Sequence, residues 1–573
     1  MIDAERILQE TYPDFKAGKH KTLIVKTLRK LLHEDDFNTF IQNNQHLRGF
    51  AFLDKLLGHF QFSYQVSYQS VNNIPAEGRL VIVANHPIGT LDGLALLKLI
   101  RTVRPDVKIV ANRVLNHMTA LNSLFHAVPV LSKKNSLKTA YQDLILALGN
   151  EEAVIFFPAG EVSRITAKGI RDSKWQSGFL KLAKKTWSPV LPVNIEAKNS
   201  ALFYALSALY KPLGTFMLVN EMFNKNCKEI KFHIGAPIPP AAFCNSQEKN
   251  AKLGQRFRKQ VINLGKKNKI SLFETETAIS HPADARAIKK ALSNALLLGE
   301  TRDAKKIFLY DFQDDCPVMH EIARLRELTF RSVEEGTGLA LDLDKFDSHY
   351  RHIVLWDDED LEIAGAYRIG EGDKIMARMG VEGFYTHTLF DLNTDFAAYL
   401  PASIELGRSF VQPKYWGQHS LEYLWYGIGA YLRERPDIKY LFGPVSLSGA
   451  YPQEAKELIV AFYNQQFGNS LPQIKARSPF QLSEASRQFA LAEFNADYPS
   501  CFKVLNSELK RLGVKVPTLY KQYVELCIDR GCHFISFNVD SEFSDCIDSL
   551  ILVEIDKIAP KKKQRYINAG LAA

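Results

Sequence analysis

With 573 residues the chain is too long to fold around one ordinary core, so two domains or more are expected. Hydrophobic residues make up 46% and charged residues 24%, which excludes a disordered or low-complexity chain. The net charge of +9 favours an acidic partner, whether anionic lipid, an acidic carrier protein or nucleic acid.

The opening residues, MIDAERILQETYPDFK, carry acids and no long apolar core, unlike a secretory signal or a transit peptide, so a cytoplasmic location is expected. Residues 1–70 then read as a helical leader, with apolar positions three and four apart in TLIVKTLRKLL and FLDKLLGHF. From Leu80 to about Pro239 the pattern changes. Short apolar runs (LVIVA, VKIVA, AVIFFP, SPVLPVNIE, IKFHIG) alternate with helix-like DGLALLKLIRTV and LKTAYQDLILALG, which predicts an α/β domain with a largely parallel sheet over 71–270. Within it, ALFYALSALYKPLGTFMLV at 201–219 is interrupted by Lys211 and Pro212 and falls short of the roughly 18–20 apolar residues that span a bilayer. It reads as a buried helix followed by a strand, or as a surface that dips into one leaflet.

Residues 271–302 read as a linker containing one helix, ADARAIKKALSNALLLGE. A different α/β domain is predicted over 303–573. It has strands at KIFLYDF, HIVLWDD, LEIAGAYRIG, ASIELGRSFV, YLFGPVSL and YVELCIDRGCHFISFNV, with helices at VMHEIARLRELTFRSV and HSLEYLWYGIGAYLRER. No internal repeat links the halves. The seven cysteines are scattered, and Cys527, Cys532 and His533 in a strand-like run suggest packing before metal binding. The basic clusters KKNSLK, GKKNK and PKKKQR lack interleaved aromatics, so they read as a solvated face or a membrane-surface patch, and no nucleic acid is expected.

Two constellations carry chemistry. In the first, the run RLVIVA delivers NHPIGTLDG. A histidine at a strand end and an aspartate one turn into the next helix can pair, so that Asp92 orients the His86 ring to accept a proton from a hydroxyl. Some seventy residues on, FFPAGEVSR presents Gly160, Glu161, Ser163 and Arg164 at a second strand end, and PVLPVN ends a third strand at Pro192. In this order the blocks resemble the glycerolipid acyltransferase family, with its His, four residues, Asp pattern, its FPEGTRS-like block and its later VPV-like block. Here five residues separate His86 from Asp92, with Gly89 expected to absorb the extra one in a turn, and the glutamate follows the glycine in PAGEVSR. In that family the FPEGTRS block and an upstream arginine hold an acceptor's phosphate, so the altered block points to an acceptor without one. Arg113 is the candidate upstream arginine, with a surface arginine after a strand as the alternative.

The second constellation comprises Arg326 and Phe330 (RLRELTF), Asp344 and Asp347 (DLDKFDSHY), Arg368 (GAYRIG), and Glu405 and Arg408 (SIELGRSF). In this order they resemble the acyl-homoserine lactone autoinducer synthases, and still more the ornithine lipid N-acyltransferases of the same acetyltransferase-like (GNAT) superfamily. No GxSxG elbow or activated cysteine suggests a covalent intermediate. Direct attack of an amine on a thioester is expected, with Glu405 as the amine's base and Arg368 and Arg408 as substrate or carrier anchors; a structural salt bridge is the alternative for Glu405 and Arg408. The superfamily's pyrophosphate loop survives only as Lys414 to Gly417, KYWG, which favours an acyl carrier protein thioester over coenzyme A.

The fusion resembles the bifunctional ornithine lipid synthases. That likeness implies that the C-terminal GNAT-like domain N-acylates an amino acid, ornithine first among the candidates, with a 3-hydroxyacyl chain. The N-terminal glycerolipid acyltransferase-like domain would then O-acylate the hydroxyl of the lyso-aminolipid. Peripheral attachment to the cytoplasmic face of a bacterial inner membrane is expected, and no metal or redox cofactor is implied. The alternatives are a lysophospholipid or glycerol-phosphate acyltransferase fused to an unrelated amine N-acyltransferase, and a non-catalytic membrane- or carrier-binding protein.

Overall fold

The computed structural model describes residues 4–5, 21–112, 119–128, 134–166, 169–209, 217–218, 220–223, 229–266, 270–333, 335–468, 474–543 and 545–568. The chain divides into two compact units, Met1–His281 and Pro282–Ala573.

The first unit opens with the helices Lys21–Leu31, Glu34–Asn43 and Gly49–His59. Its strands are β1 Ser63–Val66, β2 Leu80–Ala84, β3 Lys108–Asn112, β4 Phe125–Val128, β5 Ala153–Phe156, β6 Arg164–Thr166, β7 Gly169–Arg171, β8 Val190–Glu196 and β9 Glu229–Ile234. Seven of them form one sheet in the order β1-β9-β8-β2-β5-β3-β4, parallel at every pair except β8 with β9. β6 and β7 form a separate hairpin. The continuous apolar run of β2 follows from its central place, because all five residues are buried. Their period of two sends Leu80, Ile82 and Ala84 to one face, against Phe52, Leu56 and the helix Thr90–Arg101. Val81 and Val83 face the other side with Phe179, Leu180 and Phe257. Each buried Val, Leu, Ile or Phe among them contributes about 1.5–3 kcal/mol.

β8 runs on past Pro192, which pairs with Val83 in mid-strand, so the expected strand end there gives way to Glu196. The 201–219 stretch begins as the helix Ala201–Leu209; its described later residues, 217–218, lie in helix where a strand is expected. Among the described residues no helix is long and apolar enough to cross a membrane.

The stretch read as a linker is divided between the units. Phe273 is buried in the first core, whereas Ile288 and Leu292 of the helix Ala285–Leu292 are buried in the second. LLLGE, expected to continue that helix, forms β10 Leu296–Glu300 because it pairs with the next strand. The second unit continues with β11 Lys305–Asp311, β12 Arg351–Asp357, β13 Glu362–Glu371, β14 Phe390–Asp391, β15 Ser403–Val411, β16 Tyr440–Leu447, β17 Lys475–Ala476, β18 Cys532–Asp540 and β19 Cys546–Glu554. Its main sheet runs β10-β11-β12-β13-β15-β16-β19-β18, antiparallel throughout except for β15 with β16. That parallel pair needs a crossover, supplied by the helix Ser420–Glu434. The helix Pro317–Ser332 contributes Ile322 and Leu325 to a second cluster. YVEL, expected as strand, ends the helix Thr518–Leu526; the strand begins at Cys532. Cys532 is buried and His533 pairs with Glu554 at 2.8 Å.

Candidate active sites

β2 and β5 are adjacent and parallel, so their C-terminal ends open on the same sheet edge. This explains why NHPIGTLDG and FFPAGEVSR, far apart in sequence, meet. His86 Nδ1 lies 2.8 Å from Asp92 Oδ1. The other oxygen of Asp92 accepts from the N–H groups of Ile88 at 2.9 Å and Gly89 at 3.2 Å. Gly89 precedes the helix with φ +101°, a conformation that favours glycine, and it takes up the extra residue between histidine and aspartate. The Asp92 side chain is fully buried while His86 keeps 19% of its side chain exposed. With Nδ1–H donated to Asp92, Nε2 carries the lone pair that can accept a proton. Burial lowers the His86 pKa, but the carboxylates of Asp92 and Asp172 outweigh it and raise the pKa above the ordinary value.

The second block locks this geometry. Ser163 N–H donates to the His86 carbonyl at 2.7 Å. The Ser163 hydroxyl bonds Asp172, whose carboxylate also accepts from Trp175 Nε1 at 2.9 Å and from His86 N–H at 3.3 Å. Ser163 is thus buried and engaged, and positions the histidine instead of facing solvent. Gly160 turns the chain with φ +68°. Arg164 joins Glu161 at 3.3 Å and also bonds Ser207 of the helix Ala201–Leu209. Three residues escaped the sequence reading. Phe157 stacks on the His86 ring at 4.2 Å, Asp172 anchors the block, and Asn85 pairs both backbone groups of Ile195 at 2.7 and 2.9 Å. The aromatic residue just after β5 could have been suspected; Asp172 carried no signal. Arg113 lies outside the described residues.

In the second unit, Arg326, Asp344, Asp347, Arg368 and Arg408 form one network, with Arg326, Asp347 and Arg368 buried at its centre. Asp347 Oδ1 accepts from Arg326 at 2.8 Å and lies 3.4 Å from Arg368, which also donates to Asp344 at 2.7 Å. Burial opposes the charge on Asp347, but Arg326 and Arg368 outweigh it and hold the carboxyl well below the usual range. Beside it, burial and then Arg326 drive His352 down to about 3, so this imidazole is neutral. Arg408 approaches Asp342 at 3.7 Å and lies over the rings of Tyr385 and Phe543 at 4.9 and 4.3 Å.

Glu405 occupies a different place. One of its oxygens accepts from the N–H and hydroxyl of Thr386 and the other from the Tyr350 hydroxyl, and the residue is 1% exposed. Burial raises its pKa despite those hydrogen bonds. Both oxygens of Glu405 are thus engaged within the protein. Lys414 is occupied by Asp360 and Glu362 at 2.7 and 2.6 Å.

A cleft opens where β15 and β16 part. The strands pair only over Ser403–Glu405 and Tyr440–Phe442. Beyond that register the cleft is lined by Phe330, Tyr385 and Arg408 among others, with Ser446, Asp540 and Asp548. At its base Gly443 is required, since a Cβ there would meet the Leu406 carbonyl oxygen at 2.1 Å. Of the sequence-derived residues, Phe330 and Arg408 line this cleft, whereas Arg326, Asp344, Asp347, Arg368 and Glu405 do not.

Both units have known relatives. Residues 6–267 match the Acyltransferase family and residues 325–426 match the acetyltransferase (GNAT) domain. The glycine N(alpha)-acyltransferase of Phocaeicola vulgatus is 31% identical over 305 residues, which are 50% of this chain and 92% of the relative. The lyso-glycine lipid O-acyltransferase of the same organism is 28% identical over 274 residues, 46% of this chain and 94% of the relative. An L-ornithine N(alpha)-acyltransferase of Rhizobium meliloti is 32% identical over 254 residues, 43% of this chain and 75% of the relative. The chain therefore belongs to the N(alpha)-acyltransferase family, joins its GNAT domain to an Acyltransferase-family unit, and is an acyltransferase.

Proposed function

We propose that the chain makes an aminolipid in two steps. The second unit transfers a 3-hydroxyacyl group from acyl carrier protein to the amine of an amino acid. The first unit then esterifies the new hydroxyl, with His86 as general base held by Asp92. The observation that carries this reading is the pair of relatives from one organism. One acylates glycine and the other a lyso-glycine lipid, and this chain covers 92% and 94% of them. Glycine is favoured as the amino acid on that ground. Ornithine is the second reading, supported by the match over 75% of the Rhizobium enzyme.

The test is mass spectrometry of lipids from a bacterial host that lacks aminolipids, with and without this gene. A new glycine lipid bearing two acyl chains is expected; an unchanged lipid profile sinks the proposal. Purified protein should use 3-hydroxyacyl carrier protein far better than the matching coenzyme A ester, and equal rates would refute the donor assignment.

Esterification should depend on pH in a definite direction. His86 must be neutral to accept a proton, and its pKa is raised, so the rate should climb through a pKa above 6.5 and then level off. Asp92→Asn removes the main source of that elevation and should move the acid limb to lower pH while lowering the plateau. A limb that stays in place would show that another group titrates.

Membrane attachment is proposed to be peripheral. Ile165 and Leu202, 55% and 58% exposed, lie on the hairpin and helix that Arg164 joins, beside the His86 block. The basic helix Pro560–Lys563 suits anionic lipid. Alkaline carbonate should release most of the protein from isolated membranes, and retention in the pellet would indicate an integral segment.

A further inference from the structure

The cleft between β15 and β16 contains a carboxyl group that the sequence reading passed over. Asp548 lies on β19, 3% exposed, and lines the cleft with Arg408, Phe330, Tyr385 and Phe543. One of its oxygens accepts from the Ser446 hydroxyl at 2.7 Å. Among the described residues the other is met only by the Cys546 thiol at 4.0 Å, a weak contact. Glu405, by contrast, has both oxygens engaged and does not line the cleft. A guanidinium also borders the same space: Arg408 makes no hydrogen bond through Nε among the described residues, and its only carboxylate neighbours there are looser ion pairs, Asp342 at 3.7 Å and Asp344 at 3.5 Å. An amino acid carries a carboxylate and an amine, and this cleft offers a cation for one and a carboxylate for the other.

We propose that Asp548 is the general base of the N-acylation, with Arg408 receiving the amino acid's carboxylate across the cleft; this rests on the amine-acylating reading of the second unit. The step balances as follows. The ammonium gives one proton to Asp548, which passes it to water. The neutral nitrogen then bonds to the thioester carbonyl carbon, the C–S bond breaks, and the second proton leaves with the thiolate. The products are the amide, the free thiol and one proton.

The electrostatics suit that task. Burial raises Asp548 to about 7, and the neighbouring Asp540 pushes the same way, while the Ser446 hydrogen bond and Arg408 oppose it. Glu335, also lining the cleft and raised to about 7 by burial, is a further acid there beside Asp540. Cys546 on the same strand, Tyr385 and Tyr520 are held in their neutral forms by burial and complete the titratable surroundings. A base that titrates near neutrality combines a useful ionised fraction with real proton affinity.

The experiment follows N-acylation of glycine and of ornithine by the full chain, from pH 5.5 to 10, with 3-hydroxyacyl carrier protein as donor. Wild type should show an acid limb near pH 7. In Asp548→Asn, kcat should fall about a hundredfold to ten-thousandfold with little change in KM for the amino acid. Its remaining rate should climb towards pH 10, following the amine's own ionisation. Glu405→Gln should keep the wild-type acid limb whatever it does to the rate. Should Asp548→Asn fail to fold, Ser446→Ala decides the matter: losing the hydrogen bond that holds the pKa down should move the limb to higher pH. An unmoved limb in Ser446→Ala, or an undiminished kcat in Asp548→Asn, overturns the assignment. If wild type acylates neither amine, the underlying reading fails instead.

Discussion

Replacing His86 by alanine should leave cells with singly acylated amino acid and almost no doubly acylated lipid. The ring pairs a buried carboxylate through Nδ1 and keeps its other nitrogen at a partly exposed position. Loss of a general base costs on the order of a hundredfold to ten-thousandfold in rate, enough to reverse the product ratio. The substitution should not unfold the unit, because the β2 core beneath it is built from Leu80 to Ala84 and not from the histidine. Mass spectrometry of the lipid extract, with the protein level checked by immunoblot, decides the point. Loss of the singly acylated product in His86→Ala would show that the two steps are not divided between the units as proposed.

Much of the fold was legible because periodicity reports burial directly. β2 reads as a continuous apolar run since it is buried on both faces, and Ser420–Glu434 reads as a helix since it covers the sheet on one side. The His86 and Asp92 pair was legible from spacing, because a strand end and the next helix's first turn are close whatever the rest does. Failures came where a long-range partner decides. LLLGE is compatible with a helix and becomes β10 only because β11 is there to pair with it. YVEL looks like strand in isolation but closes a helix whose Tyr523 is buried in the core. Glu405 could be found from its motif, yet its occupation by Thr386 and Tyr350 could not, since neither partner is near it in sequence. Asp548 is the sharper case. It sits on a strand with every residue but the last buried, and only the parting of β15 from β16 gives it a space to face.

The buried network behind that cleft carries the other large effect. Asp347→Asn should destabilise the second unit by about 3–5 kcal/mol, because it leaves the guanidiniums of Arg326 and Arg368 buried without the carboxylate between them. Arg368 retains Asp344, but among the described residues the other hydrogen-bond partners of Arg326 are the Asp342 carbonyl at 3.4 Å and the neutral His352 at 3.3 Å, neither of them a carboxylate. For a unit of this size the melting transition should drop by on the order of 10 °C. The sign with pH follows from the depressed pKa: the stabilisation is present above the unfolded-state value near ~4 and is lost as pH falls through the folded one, so wild type should weaken in acid while Asp347→Asn shows a flatter dependence. Function should divide in the same way. N-acylation should be lost on warming well before wild type loses it, while esterification of a supplied lyso-lipid should persist, because the first unit has its own sheet and its own core. Calorimetry together with the two activities measured against temperature tests this. A single transition at the wild-type temperature, with both activities intact, would mean that the Arg326–Asp347–Arg368 cluster contributes little to holding the unit together.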